Sequence, residues 1–181
     1  EDAQSTISKN AGHVIHAIAK EAMDYMVQTN GVRPYISITT IKNKLLNAKA
    51  KDGNLIYPEL HQMNNTFWQF DTVPIVSEIE RIYKQIQEDQ YKIQKLTGTK
   101  NKSEIFTELT IYNKAVDEAG TIDLLVIHPN GAAVVYDFKS LAVQFGDKNI
   151  LEFGIPDFKQ RAFDIQMSRY AKALKDSYGI E

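Results

Sequence analysis

Cysteine is absent from this 181-residue chain. That absence removes disulfides, thiolate nucleophiles and cysteine-bound zinc from consideration, and it suits a reducing, cytoplasmic setting. No apolar run is long enough to span a bilayer, and the first residues lack the basic-then-apolar pattern of a secretory signal. No membrane partner is therefore expected. Repeats and low-complexity tracts are also missing. Charge of neither sign dominates: 21 Lys and Arg stand against 23 Asp and Glu, a net charge of −2. Proteins that grip long duplexes through phosphates are basic or carry a basic face. This balance counts against a tight, non-specific duplex binder and leaves local nucleic-acid contacts open. What remains is 43% hydrophobic and 24% charged, the composition of a soluble globular protein. The length fits one domain with a core of ordinary size.

The most informative stretch runs from Gly120 to Ser140. Apolar, β-branched runs at 121–128 and 132–139 flank Pro129-Asn130-Gly131 and predict a β-hairpin. Pro129 and Asn130 suit the centre of a type I turn, and Gly131 the left-handed residue that follows. A three-residue loop sets His128 opposite Ala132 and Asp123 opposite Asp137, with Lys139 on the face of Asp137. Like charges opposed across strands destabilise a sheet. Either each aspartate ends its strand in solvent, or a partner holds the pair. Lys139 is one such partner, and a divalent cation with oxygen ligands is a better one. The apolar residues after Asp123 and before Asp137 place both carboxylates at the rim of a buried sheet.

These residues resemble a family. Gly120-x-x-Asp123 followed by Asp137-Phe138-Lys139 is similar to the core signature of the PD-(D/E)XK nucleases, in their RecB-like branch. Two further elements of that branch occur in order: Gly12-x-x-x-His16 before the signature and Gln166-x-x-x-Tyr170 after it. The resemblance spans residues 12 to 170. It implies a metal site of Asp123, Asp137, the Phe138 carbonyl and His16, holding Mg²⁺ or Mn²⁺. It also implies a catalytic role for Lys139 and substrate positioning by Gln166 and Tyr170. The branch often carries a glutamate on the preceding strand, a position that Glu108 matches, although a solvated edge glutamate explains Glu108 equally well.

Taken in order, residues 5–29 predict a helix whose Ile15, Ile18, Ala19, Ala22 and Met26 form an apolar stripe, ended by Asn30-Gly31. His16 lies at the edge of that stripe, and His13 further toward the polar side. Ser37 is a candidate cap for a helix to about Lys51, broken at Asp52-Gly53. The aromatic segment Thr66–Phe70 reads as packing, with Trp68 a buried anchor rather than a base-stacking ring. Ser77-Glu78-Ile79-Glu80 has the pattern of a capping box opening a helix to about Leu96. Lysines gather at 42, 44, 49 and 51 and again at 92, 95, 100 and 102, as solvated helices also do. A strand is expected over 105–114, with Phe106, Glu108 and Thr110 on one face. After a mixed stretch with a turn at Gly146-Asp147, Pro156-Asp157 predicts a helix to about Ser177, placing Gln166 and Tyr170 on one face.

The expectation is an α/β protein: a restriction-endonuclease-like central mixed sheet flanked by helices, with a helical insertion over about 35–96. It is one domain over 1–181. From the abrupt ends, Glu1 without methionine and Tyr178-Gly179-Ile180-Glu181, a domain excised from a longer protein is expected, with the remainder of that protein as a partner. The expected activity is Mg²⁺- or Mn²⁺-dependent hydrolysis of phosphodiester bonds, with DNA the expected nucleic acid. The alternatives are a catalytically inactive nuclease-fold module with a structural or nucleic-acid-binding role, and a metal enzyme acting on another substrate. The sequence does not distinguish exonuclease from endonuclease action.

Overall fold

The structure is a computed structural model that describes residues 3–113, 118–136, 140–142 and 151–153. The described residues fall into two compact units, one drawn from 1–80 and 139–154, the other from 81–138 and 155–181.

The first unit is built on α1, Ala3–Thr29. Its stripe is buried as the spacing predicts: Val14, Ile15, Ile18, Ala19, Ala22, Met23 and Met26 are all at most 1% exposed. Asn30 and Gly31 end the helix in the left-handed region, and the Gly31 amide donates to the Met26 carbonyl. Helix α2, Ile38–Leu46, packs on α1 through its buried Ile41 and Leu45. It is shorter than its sequence suggests. Asn47 caps it, and residues 48–56 fold back through a bridge between Lys49 and Leu55. Asp52-Gly53 turns this small loop, where the Asp52 carboxylate accepts from the Asn54 amide. A 3₁₀ turn, Pro58–Gln62, buries Leu60. Phe67 then meets Trp68 and Phe70 edge-on, at centroid distances of 5.0 and 5.2 Å. All three rings are buried, so this segment is core and Trp68 is an anchor.

Helix α3 spans Val73–Thr97 and crosses the division between the units after Glu80. It begins four residues before the capping-box pattern. Asp71 accepts from the Val73 amide, and Pro74 lies in the first turn, where its missing N–H costs nothing. The expected box does not form. Arg33 instead donates to the Ser77 hydroxyl at 2.9 Å and to the Glu80 carboxylate at 3.1 Å. The charge pattern there serves a tertiary contact rather than a helix start.

In the second unit β1, Glu104–Asn113, and β2, Glu118–Ile127, pair antiparallel, and β3, Ala133–Tyr136, adds to β2. The central position of β2 explains its nearly continuous apolar sequence, with Ile122, Leu124, Leu125 and Val126 all buried. The turn is the one expected. Gly131, at φ +85°, donates to the His128 carbonyl at 2.9 Å, and the His128 amide donates to Ala132. Register follows, from Ile127 opposite Ala133 to Leu124 opposite Tyr136. The phenol of Tyr136 is pushed up from its ordinary pKa by burial and by Asp89, with Arg81 opposing. Strands β4, Ser140–Ala142, and β5, Leu151–Phe153, form a separate antiparallel pair in the first unit, where β4 contacts α1. Among the described residues both sheets are antiparallel, and no helix is long and apolar enough to cross a membrane. The helix expected from Pro156 lies outside the described residues.

Histidine 13 yields a test of the packing on α1. Its ring lies 4.8 Å from that of Tyr57, half-buried instead of facing solvent. Burial, then Lys9 and His16, hold the imidazole below its usual 6.5, against the opposite pull of Glu59. A His with a folded pKa below its unfolded one stays neutral while the unfolded chain takes the proton. Stability present above about pH 6.5 is therefore lost as pH falls toward the folded value. Melting followed by circular dichroism between about pH 7 and pH 5 should show a shallower decline for His13→Gln than for the parent. Parallel curves would exclude His13 from the acid response.

Candidate metal centre on the antiparallel hairpin

Strand pairing brings two carboxylates together. Thr107 faces Leu124 and Leu109 faces Ile122, so Glu108 and Asp123 are the opposed residues between them. A carboxylate oxygen of Glu108 lies within 4.8 Å of one of Asp123. Asp123 is only 6% exposed, and Glu108 is partly buried. At 4.8 Å two unit negative charges repel by about 3.5 kcal/mol for an effective dielectric near 20. A divalent cation between them would offset that repulsion.

The backbone at this point is unusual. Glu108 has φ +52°, a left-handed conformation that few residues other than glycine adopt, and it does so within a β-strand. The regular alternation expected for β1 breaks there. Phe106 and Leu109, on either side of Glu108, pack in one apolar cluster with Ile122 and Leu125. The kink is a local twist in the ladder that re-aims Glu108 relative to its neighbours. Conformations of this kind cost about 1–3 kcal/mol and persist where surrounding packing imposes them.

The remaining expected residues divide cleanly. His16 sits half-buried on α1 in the first unit, one helical turn beyond Gly12. Asp137, Phe138, Lys139, Gln166 and Tyr170 lie outside the described residues. The structure thus brings one expected ligand, Asp123, beside Glu108, which the sequence offered only as a candidate near the site. The left-handed turn of Glu108 carries no mark in the sequence, since neither glycine nor asparagine stands there. A second polar pair was also not anticipated. The Ser103 hydroxyl lies 2.7 Å from Nδ1 of the buried His128, tying the approach to β1 to the hairpin end.

As a donor set, two carboxylates suit a hard divalent cation with oxygen ligands. Fold and site together define an α/β protein carrying an acidic pair on a kinked antiparallel hairpin. The chain matches no family model, no curated protein and no solved structure.

Three substitutions separate strain from charge at Glu108. Glu108→Gln keeps the strained backbone and removes one charge. Glu108→Asn removes the charge and also tolerates the left-handed region, so it should be the most stable of the three in EDTA. Glu108→Val should lose about 2 kcal/mol or more relative to Glu108→Asn, because a branched Cβ fits φ +52° poorly. Urea unfolding ranks them, and a valine variant as stable as the asparagine one would refute the kink.

Proposed function

We propose that this protein is a metal-dependent nuclease that hydrolyses phosphodiester bonds, with DNA as its substrate, on a restriction-endonuclease-like sheet of the RecB-like type. The observation that carries the reading is the opposed pair Glu108 and Asp123, with carboxylate oxygens within 4.8 Å of each other. It supports the reading because the resemblance puts a metal-binding aspartate at Asp123 and a glutamate near the active site at the position of Glu108, and Asp137-Phe138-Lys139 follows Tyr136 in the sequence.

Asp123, Asp137 and the carbonyl of Phe138 would hold Mg²⁺ or Mn²⁺, with His16 as the nitrogen ligand and Glu108 as a further carboxylate. An imidazole in the set favours Mn²⁺ over Mg²⁺. Such a cation, if held there, would supply a ligated water of lowered pKa and positive charge opposite the phosphate. The chain's own groups do the rest. The Lys139 ammonium orients the attacking water and stabilises negative charge on the phosphoryl oxygens. Gln166 and Tyr170, four residues apart, hold the substrate strand beside the carboxylates. Burial of Asp123 keeps bulk water from competing for its oxygens.

Two measurements test this. Mn²⁺ should raise the melting temperature by linkage, and Asp123→Asn should remove most of that rise. The parent should cleave plasmid or linear DNA with Mn²⁺ and not with EDTA. A melting response to Mn²⁺ that survives in Asp123→Asn/Glu108→Gln would refute the site, and a metal response without cleavage would leave an inactive module.

Lysine 139 decides between chemistry and charge balance. Lys139→Ala should retain Mn²⁺ binding, since no ligand is lost, and cleave about 10²-fold or more slowly. Lys139→Arg should restore only part of that rate, because a planar guanidinium does not replace a compact ammonium. A Lys139→Ala protein with the parent rate but a lower melting temperature would make the lysine a counter-ion alone.

A further inference from the structure

We infer that the C-terminal end of α3 and the loop after it form a docking surface for single-stranded nucleic acid, separate from the carboxylate pair. The inference rests on the nuclease reading for the identity of the polyanion. The observations lie wholly within the second unit. Between residues 90 and 103 there is no acidic residue, while Lys92, Lys95, Lys100 and Lys102 contribute four positive charges in a chain of net charge −2. All four lysines are exposed. Tyr91 and Leu96 are exposed beside them, at 57% and 87%. At 3.6 residues per turn, Tyr91, Lys95, Lys92 and Leu96 fall within about 140° of arc, a single face of the helix.

The face is held in order by hydrogen bonds. Gly98, at φ +75°, ends α3 and donates to the Gln94 carbonyl. The Gln94 side chain then donates to the Asn101 carbonyl at 2.9 Å, and the Ser103 amide donates to the Gln90 side chain at 2.7 Å. The Asn101 amide donates to the Thr99 hydroxyl. The polar contacts of this loop are thus turned inward onto α3, and Lys100 and Lys102 project on either side of the anchored Asn101. Gathering four like charges on a fixed surface is unfavourable in itself, and a polyanion reverses the sign of that term.

Tyr91 narrows the class of polyanion. Lys95 lies over its ring, 5.1 Å from the centroid, which fixes the phenol and covers one of its faces. A base can stack on the other. Lysines tracking phosphates around an exposed aromatic are the elements of single-strand binding, where stacking contributes about 1–3 kcal/mol per base. A paired duplex keeps its bases out of reach of such a ring. The first lysine group does not repeat the arrangement. Lys44 pairs with Glu21, and Lys42 lies 5.5 Å from the centroid of the buried Trp68, so two of its cations serve internal contacts. Glu88 and Asp89 bound the proposed surface one turn earlier on the helix.

The test is fluorescence anisotropy of the full chain with fluorescein-labelled oligo(dT) in EDTA, which removes cleavage from the readout. Binding should weaken with salt with a slope of about −3 in log K against log salt, near −0.7 for each of four neutralised phosphates. Lys92→Gln/Lys95→Gln/Lys100→Gln/Lys102→Gln should abolish most of that slope and lower affinity at least tenfold. Tyr91→Ala should lower affinity about tenfold with the slope retained. Each variant's melting temperature is compared with the parent's, and Lys100→Glu/Lys102→Glu on the loop alone is a milder check, expected to cost at least fivefold. Unchanged binding by the quadruple variant would overturn the surface, as would competition by base-free polyacrylate equal to that by oligo(dT). Cleavage with Mn²⁺ is scored separately: oligo(dT) binding without cleavage sinks the nuclease reading and keeps the surface, and cleavage with binding unaltered in the variants does the reverse.

Discussion

The three-residue turn at Pro129–Gly131 is the constraint on which the second unit depends. Because side chains alternate with a period of two, a slip of one residue would send every apolar residue of β2 to the wrong face. The turn prevents that. Proline supplies φ at the first central position, glycine occupies the left-handed one, and the Asn130 side chain accepts from the Ala132 amide. Pairing then propagates from His128–Ala132 along the hairpin, and the depth at which Asp123 is buried is set several residues away from Asp123 itself.

On the other side of β2 the order is different. The β1 ladder keeps register through Glu108, yet the backbone of that residue turns left-handed within it. Asp123 is buried on β2, and Glu108 opposite it holds a left-handed backbone within the ladder. Oxygen donors of negative charge are the type that suits a hard cation.

Residues of one type have taken different parts according to their neighbours. In the first unit Lys44 pairs with Glu21 and Lys42 lies over Trp68, so their charges serve packing. At the end of α3 the nearby polar groups bond among themselves, and the lysines face outward. Ser77 and Glu80 make the same point. Their spacing is that of a helix cap, but Pro74 and Asp71 start the helix earlier, and Arg33 takes up both side chains.

Local chemistry by itself determined the apolar stripe of α1, the chain reversal at Pro129–Gly131 with its register, the three strands in order and the α/β class. Each of these depends on residues close in sequence, whose periodicity and turn preferences act directly on the backbone. The buried position of the aromatic segment at Phe67–Phe70 was legible for a related reason, since large rings seldom remain in water. Only the tertiary structure decided what Ser77 and Glu80 do, which lysines remain outward and that Glu108 is bent out of the pleat. In those cases the partners are distant in sequence: Arg33 for Ser77 and Glu80, Glu21 for Lys44, and β2 opposite Glu108. A pattern read along the chain carries no information about a partner brought alongside by folding.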